Sequence, residues 1–371
     1  MLDFSSALYL GMRHPAHGLR PWKTLTYGAP AALREPEGAC VIAQKLAALQ
    51  GCERAVLAPS TLHLFWDLFG ILSRDNIAIY MDAGVYPIGR WGVERAASRG
   101  VPVRTVRHYC SDALSMAIKN DSSHGKRPVI LADGFCPACG KAAPVSEYAN
   151  LASSTGGLLI LDDTQSLGLY GHSPDRNNPY GTGGGGILQW NDITKNPYVL
   201  TASSTAKGFG VPLAALSGSS RMVGWFEEKS ETRVHCSPPS LAVISSLEHA
   251  LAMNEKYGRA IRSRLAQLVR YLLDQLQKVG LRATGGLFPM QTLLPRPGLN
   301  PAVLHVKLLA QGIRTVLHHA RNGHGCRISF IVTARHRPEE IDHAADALAV
   351  ALRTMKFETT RPEVLHETQL P

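Results

Sequence analysis

One lysine stands in a segment of small, hydroxylated and apolar residues, Ser-Ser-Thr-Ala-Lys-Gly-Phe-Gly at positions 203–210. This composition gives Lys207 little reason to be a surface charge. Hydroxyls before it and glycines after it suit an amine held near a phosphorylated ligand that carries a carbonyl group. A desolvated lysine amine can condense with an aldehyde to form a Schiff base. The alternative is an ordinary lysine in a loop that follows a strand.

Two carboxylates follow a predicted strand upstream of Lys207. The apolar run at residues 158–161 comes after a glycine pair, predicts a buried strand, and ends at Asp162 and Asp163. Open α/β sheets bind ligands at the carboxyl ends of their strands. A carboxylate there can pair with a protonated pyridine nitrogen and so improve an electron sink. Asp162 is the candidate for this role, and capping of a turn is the open alternative for Asp163.

Ser60 and Thr61 lie between a predicted strand at 55–58 and an apolar, helix-like run at 62–72. Ser and Thr are typical N-cap residues. A helix N-terminus also binds phosphate through its unpaired N–H groups and its dipole. Capping alone is the alternative explanation. The order along the chain of hydroxyl pair, acid and lysine favours the phosphate-binding interpretation.

These motifs resemble those of fold-type-I pyridoxal-phosphate (PLP) enzymes, and among them the α-oxoamine synthases. Residues 162–168, Asp-Asp-Thr-Gln-Ser-Leu-Gly, are similar to the family's Asp-Asp/Glu-Ala/Ser-His stretch followed by glycine. Residues 204–210, Ser-Thr-Ala-Lys-Gly-Phe-Gly, are similar to its Thr-x-x-Lys-x-x-Gly stretch. Further similar stretches occur at residues 3–11, 133–145 and 326–329, so the resemblance covers nearly the whole chain.

The resemblance implies a role for each of the singled-out residues. Lys207 forms the Schiff base with PLP, Asp162 keeps the ring nitrogen protonated, and Arg327 pairs with a substrate carboxylate. Contacts to the cofactor phosphate are implied for three hydroxyl residues, Ser60, Thr61 and Ser204. For Arg327 the alternative is a surface ion pair.

Several positions depart from the family pattern. Tyr86 stands where the family has a ring-stacking histidine, and Gln165 stands where it has the histidine that contacts the phenolic oxygen of the cofactor. Pro137 replaces a serine, and residues 7–8 replace an Asn-Asp pair. An aromatic ring can still stack on PLP, although Tyr86 could instead be a core residue. Glutamine donates a hydrogen bond but does not shuttle protons near neutral pH, so Lys207 is the candidate base.

The resemblance implies a PLP-dependent transferase that condenses an amino acid carbanion with an acyl thioester, with or without loss of carbon dioxide. One alternative is an aminotransferase, or other amino acid carbanion chemistry, on the same scaffold. Another is a PLP-fold partner subunit without turnover. The family also implies a homodimer. A nicotinamide dehydrogenase is disfavoured because no Gly-x-Gly-x-x-Gly follows a predicted strand.

Length, composition and charge set bounds on the rest. The chain has 371 residues, 45% of them hydrophobic, which is enough for one large and one smaller globular domain. We find no apolar run of membrane-span length and no basic signal-peptide start, and therefore expect a cytoplasmic protein. The net charge of +10 favours an acidic ligand such as coenzyme A or an anionic carrier protein. The dispersed basic residues do not favour nucleic acid.

Seven cysteines, an odd number spread along the chain, argue against a disulfide scaffold. Cys136 and Cys139 form a single CxxC motif. A zinc ribbon needs a second such pair, and the sequence has none. We therefore expect no metal, and expect the two cysteines to line a loop near the cofactor.

Alternating patterns indicate an α/β fold: a large domain with a mostly parallel, seven-stranded sheet and a smaller C-terminal α+β domain. The predicted domain bounds are 1–36 for an N-terminal segment, 37–238 for the PLP-binding domain and 239–371 for the small domain. Separate helices are expected at 241–256 and 259–279. The glycine run at 183–186 predicts a loop over the site or a surface insertion. Strands of the large sheet are predicted at 55–58, 77–81, 101–106, 129–132, 158–161, 199–202 and 213–217.

Overall fold

A computed structural model describes residues 1–121, 125–319 and 325–358, without the side chains of 356–358. The strands are β1 (Leu2–Asp3), β2 (Arg54–Ala58), β3 (Ile77–Asp82), β4 (Val103–Val106), β5 (Arg127–Asp133), β6 (Phe135–Cys136), β7 (Lys141–Ala142), β8 (Leu158–Asp162), β9 (Val199–Ser204), β10 (Ala214–Gly218), β11 (Ala283–Thr284), β12 (Met290–Leu293), β13 (Ile313–Arg314), β14 (Val316–His319) and β15 (Cys326–Ile331). The helices are α1 (Ala39–Gln50), α2 (Thr61–Leu72), α3 (Pro87–Ala97), α4 (Ser111–Asp121), α5 (Val145–Ser154), α6 (Ile187–Trp190), α7 (Ser220–Lys229), α8 (Glu231–His235), α9 (Leu241–Lys278), α10 (Pro301–Ala310) and α11 (Pro338–Glu358).

Two compact units divide the chain. The large unit contains residues 8–264, and the small unit contains residues 1–7 together with those described from 265 onward. The division falls inside α9, whereas the sequence suggested bounds after residues 36 and 238. Those domain bounds stay a prediction. Each helix among the described residues is too short or too polar to cross a lipid bilayer.

The large unit is built on a seven-stranded sheet with the order β2-β10-β9-β8-β5-β3-β4. β10 runs antiparallel to both of its neighbours, and the pairs from β9 to β4 are parallel. All seven strands predicted from apolar runs are present in this sheet, so the predicted α/β class is confirmed. The apolar runs form strands here because helices cover them: α2 buries Leu64, Phe65, Leu68 and Phe69 in a core shared with the sheet.

The buried side-chain amide of Gln50 forms hydrogen bonds with the hydroxyl residues that β9 places in the core. Gln50, at the end of α1, donates to Ser203 Oγ at 3.2 Å and accepts from Ser217 Oγ at 2.7 Å. Its Nε2 is also 3.4 Å from Thr201 Oγ1. Buried hydroxyls destabilise a core unless they are hydrogen-bonded. Gln50 therefore lets β9 deliver a polar segment to the edge of the sheet, where Lys207 follows.

The small unit has a four-stranded antiparallel sheet with the order β11-β12-β15-β14. Helix α10 packs on β15 and on α11. The first residues of the chain join this unit, because β1 pairs in parallel with β13 and the Phe4 carbonyl accepts from the Ile331 N–H group at 2.8 Å.

The expected pair of helices at 241–256 and 259–279 is wrong, because α9 is continuous over 38 residues. Gly258 lies inside it. A Cβ atom at this position would come within 2.5 Å of Asn254 Oδ1 and 3.0 Å of the Arg262 guanidinium nitrogens. Arg262 donates to Asn254 Oδ1 at 2.7 Å. The glycine therefore makes room for a hydrogen bond along the helix and does not end it.

Candidate active site

Three parallel strands end together at one edge of the large sheet. Asp133 of β5 is paired in register with Asp162 of β8, and Asp162 is paired with Ala202 of β9. Lys207 follows the end of β9 at Ser204. Because parallel strands place their carboxyl ends at the same edge, two acids and the lysine meet there. The structure thus brings together Asp162 and Lys207, as the sequence predicted.

Burial and opposite charge act against each other on Lys207 and Asp162. Burial lowers the pKa of the Lys207 amine, while the nearby carboxylates of Asp162 and Asp133 raise it, and the net direction is down. Burial raises the pKa of Asp162, which Thr164 hydrogen bonds and the Lys207 charge oppose. A lysine with a lowered pKa has a larger fraction of neutral amine, which is the nucleophilic form.

Thr164 joins the ends of β8 and β9. Its N–H group donates to Asp162 Oδ1, and its own Oγ1 accepts from the Ser204 N–H group, both at 3.0 Å. Ser204 Oγ in turn accepts from the Ala206 N–H group at 3.3 Å. These bonds fix the backbone that leads to Lys207. Thr164 was not predicted as a site residue, although it stands two residues after Asp162 within the acidic motif.

Gln165 is held by a residue from the start of the large unit. The buried Tyr9 hydroxyl donates to Gln165 Oε1 at 2.7 Å, and the Tyr9 N–H group donates to the Lys207 carbonyl oxygen at 3.1 Å. With its oxygen engaged, the Gln165 amide presents its NH₂ group as a donor. Tyr9 was also missed, although it lies in a stretch that carried the family resemblance.

Tyr86 lies beside Lys207 and is not a core residue, since 55% of its surface is exposed. The centre of its ring is 5.9 Å from Lys207 Nζ. Its N–H group donates to Asp133 Oδ1 at 3.2 Å, just before α3 begins at Pro87. A half-exposed ring next to the lysine can cover one face of a planar ligand.

Ser60 occupies the N-cap position of α2, but its side chain makes no capping hydrogen bond. Its Oγ lies 2.8 Å from His63 Nδ1 instead. Side-chain capping is therefore not the role of Ser60 in this structure, and Thr61 is the first helical residue. The N–H groups of the first helical turn have no intrahelical partner, so an anion can bind them. His63 was not predicted as a site residue, because no motif in the sequence singles it out.

Asp163 takes the structural alternative. It is fully buried, and both of its carboxyl oxygens accept from the Ile187 N–H group at 3.1 Å, where α6 begins. Burial raises its pKa to about 8. The glycine run packs against it: a Cβ atom on Gly186 would overlap the Asp163 carboxylate. Gly184, Gly185 and Gly186 are buried, so the expectation of a surface insertion is wrong for this part of the run.

Arg327 belongs to the small unit. It lies in β15, is partly buried, and is paired in register with His318 of β14. Its role as a ligand for a substrate carboxylate stays a prediction.

A sequence model of class I and II aminotransferases matches residues 44–348. The chain belongs to the class I and II aminotransferase family. Among curated proteins, this family member is 22% identical over 355 residues to 8-amino-7-oxononanoate synthase of Pseudomonas aeruginosa, covering 95% of this chain and 78% of the relative. It is also 22% identical over 325 residues to the enzyme of the same name from Thioalkalivibrio sulfidiphilus, covering 87% and 75% of the two chains.

Solved structures show the same fold as this class I and II aminotransferase family member. Serine palmitoyltransferase from S. paucimobilis with bound PLP superposes with a TM-score of 0.79 at 14% identity, covering 96% of this chain and 88% of that one. For 8-amino-7-oxononanoate synthase from Francisella tularensis the TM-score is 0.70 at 16% identity, covering 97% and 99%. The resemblance to the α-oxoamine synthase group predicted from the motifs is confirmed by these relatives.

Proposed function

We propose that this protein is a PLP-dependent transferase that joins the α-carbon of an amino acid to the acyl group of a thioester. One observation carries the proposal: a buried carboxylate, Asp162, and a lysine with a lowered pKa, Lys207, lie at the ends of adjacent parallel strands. The relatives named 8-amino-7-oxononanoate synthase and serine palmitoyltransferase support it.

The residues of the site fit PLP at five points. The start of α2 has N–H groups that no side chain caps, so Ser60 and Thr61 would hold the phosphate, with Ser204 as a further ligand. Asp162 would pair with the pyridine nitrogen, and Lys207 would hold the aldehyde carbon. The ring of Tyr86 would cover one face of the cofactor, and the amide of Gln165 would donate to its phenolic oxygen.

PLP, when bound, supplies an electron sink that stabilises negative charge at the α-carbon of an amino acid. The chain supplies the rest. The Asp162 carboxylate keeps a proton on the pyridine nitrogen by accepting its hydrogen bond. Lys207 would be displaced from the aldehyde carbon by the amino group of the substrate, and its freed amine would then take the proton from the α-carbon, because its lowered pKa keeps a neutral fraction available. The Gln165 amide would donate a hydrogen bond to the phenolic oxygen of the cofactor but would not exchange a proton with it. Lys207 is therefore the residue that carries the proton.

The proposed substrates are an amino acid and an acyl thioester of coenzyme A or of a carrier protein. Arg327 would bind the amino acid carboxylate. The net charge of +10 would attract either acidic acyl carrier. We expect a cytoplasmic homodimer, and light scattering of the purified protein measures the oligomeric state. A monomer at working concentration would contradict that expectation.

The cofactor assignment is tested by reduction with borohydride. Wild-type protein with PLP should show an aldehyde–imine absorption band, and peptide mapping after reduction should find the pyridoxyl group on Lys207. Lys207→Ala should lose the band, whereas Lys45→Ala, at an exposed lysine of α1, should keep it. A pyridoxyl group on a different lysine would overturn the assignment.

The reaction is tested by its products. Amino acids are screened with and without acyl thioesters, and the proposal predicts free thiol that appears only when both are present. A keto acid together with the pyridoxamine form of the cofactor would indicate an aminotransferase instead. Cofactor binding without exchange of any α-hydrogen would indicate a partner subunit without turnover.

A further inference from the structure

The turn between β6 and β7 holds the two thiols of the CxxC motif. The Cys139 N–H group donates to Cys136 Sγ at 3.4 Å, and the Gly140 N–H group donates to the Cys136 carbonyl oxygen at 2.8 Å. Gly140 has a φ of +69°, which favours glycine. An N–H group directed at sulfur stabilises the thiolate form. All seven cysteines lie in described residues, and none forms a disulfide.

His108 completes a cluster with these thiols. Its Nε2 atom is 3.4 Å from Cys139 Sγ, and the ligand atoms of His108, Cys136 and Cys139 all lie within 4.8 Å of one another. In a tetrahedral zinc site, Zn–S and Zn–N bonds of ordinary length place neighbouring ligand atoms about 3.5–3.8 Å apart. Small side-chain rotations therefore suffice to bring the three atoms around one ion.

Asp82, at the end of β3, orients the imidazole. His108 Nδ1 lies 2.6 Å from Asp82 Oδ1, and the carboxylate is itself fixed by the Tyr109 N–H group at 2.7 Å and the Gly84 N–H group at 2.6 Å. The His108 ring also stacks on Tyr109, with 3.9 Å between the ring centres. An imidazole that donates from Nδ1 to a carboxylate presents the lone pair of Nε2 to the thiols. Zinc-binding histidines are held by carboxylates in this way.

We propose that His108, Cys136 and Cys139 bind one Zn²⁺ ion, with Asp82 as the positioning residue for His108. Two thiolates and a neutral imidazole balance the charge of the ion, and the two thiol protons pass to solvent. Thiolates and imidazole select zinc over magnesium or calcium. Within the described ranges the cluster supplies three protein ligands, so water takes the fourth position of the tetrahedron.

The ion would join the β6–β7 hairpin to the segment that follows β4. That segment includes Tyr109, which has a φ of +50° and whose hydroxyl donates to the Asp133 carbonyl oxygen at 2.8 Å. The bound ion therefore stabilises the backbone beside the end of β5. The absence of a second CxxC pair led us to expect no metal. The third ligand lies 31 residues before Cys139, where spacing rules do not find it.

Metal content of the full-length protein, purified with a reductant and dialysed after addition of zinc, tests the site. We expect about one zinc per chain in wild type and in Cys236→Ser, whose sulfur lies outside the cluster. Cys139→Ser and His108→Gln should lose most of the metal. Asp82→Asn, which keeps all three ligands, should weaken zinc affinity about 10- to 100-fold in a chelator competition.

Cobalt gives a second measurement on the wild-type chain, so that misfolding of a variant does not decide the result. Cobalt-loaded protein should show a thiolate-to-cobalt charge-transfer band and the visible bands of tetrahedral coordination. Zinc well below one per chain, cobalt without the thiolate band, or a Cys136–Cys139 disulfide mapped in the reduced preparation would each overturn the proposal. None of these measurements requires PLP or turnover.

Discussion

The hydroxyl of Tyr9 donates a 2.7 Å hydrogen bond to Oε1 of Gln165. The Tyr9 N–H group also binds the Lys207 carbonyl oxygen, so one buried residue positions both the amide and the lysine loop. A glutamine amide can rotate freely in solution. Here its oxygen is occupied, which leaves its NH₂ group as the part of Gln165 that can bind a ligand.

Tyr9→Phe should therefore weaken cofactor binding without preventing it. Loss of one hydrogen bond costs about 0.5–1.5 kcal/mol, which predicts a decrease in PLP affinity of up to about tenfold. The affinity is measured by titrating the apoprotein and following the imine absorption band. Tyr80→Phe removes a comparable hydroxyl, which donates to Asp121 at 3.0 Å, and should leave PLP affinity unchanged. Equal losses in both variants would contradict a specific role for Tyr9.

Asp162→Asn should separate cofactor binding from proton transfer. The amide cannot keep a proton on the pyridine nitrogen, so the exchange of the amino acid α-hydrogen should fall about 100-fold or more. The imine band should remain, because Lys207 is intact. Exchange into deuterium oxide is followed by NMR. Asp192→Asn, at an exposed carboxylate outside the site, should keep the wild-type exchange, and a loss as large as that of Asp162→Asn would refute the assignment.

Stability should fall with rising pH because of Asp163. Its pKa is about 8 in the folded chain and close to the ordinary value of 3.8 in the unfolded chain. The folded state then holds a proton that the unfolded state releases, so this contribution is complete below pH 3.8 and lost as pH rises through 8. The slope is at most about 1.4 kcal/mol per pH unit.

Asp163→Asn removes that ionisation, so its melting temperature should decrease less between about pH 5 and 8 than that of wild type. The measurement is thermal unfolding at a series of pH values. Asp192→Asn, at an exposed carboxylate, should keep the wild-type slope. Parallel curves for wild type and Asp163→Asn would show that Asp163 is ionised throughout.

Gly186→Ala should destabilise the large unit strongly. Gly186 has a φ of +90°, and a Cβ atom there would overlap Asp163 Oδ2. Gly183→Ala is a matched control, because Gly183 has a φ of +84° but nothing within 4 Å of the Cβ position. Backbone strain alone should lower the free energy of unfolding by about 1–3 kcal/mol in both variants. The decrease should be larger for Gly186→Ala, because the overlap with Asp163 adds to the strain. Similar free energies of unfolding in urea would contradict the close packing.

Local patterns predicted the strands well because most strands of the large sheet are apolar runs buried by helices; β4, at the sheet edge, is the exception, with three of its four residues exposed. The run at 158–161, for example, lies in β8, and all five residues of β8 are buried. Patterns failed where a side-chain hydrogen bond, and not local composition, decides the structure. Gly258 is an expected helix interruption, but its missing side chain admits the Arg262–Asn254 hydrogen bond and the helix continues.

The same distinction holds for the candidate site. Lys207 and Asp162 were predictable because Asp162 ends β8 and Lys207 lies three residues after the end of β9, both at the carboxyl edge of parallel strands. Tyr9 was not, because its contact with Gln165 spans 156 residues. Asp163 has the same residue type and nearly the same position as Asp162, and only the fold shows that it binds the start of α6.

The buried carboxyl of Asp163 has a consequence for variation of the chain. Its hydrogen bond with the Ile187 N–H group joins two positions that are 24 residues apart. Between them, the antiparallel bridges Leu167–Gly185 and His172–Thr182 pair the two halves of the segment. Its tip at residues 173–177 is exposed. Because the two ends are fastened beside Asp162, insertions or labels at the tip can be accommodated without displacing the lysine. Natural or engineered insertions can therefore lengthen this segment while Asp162 and Lys207 keep their positions.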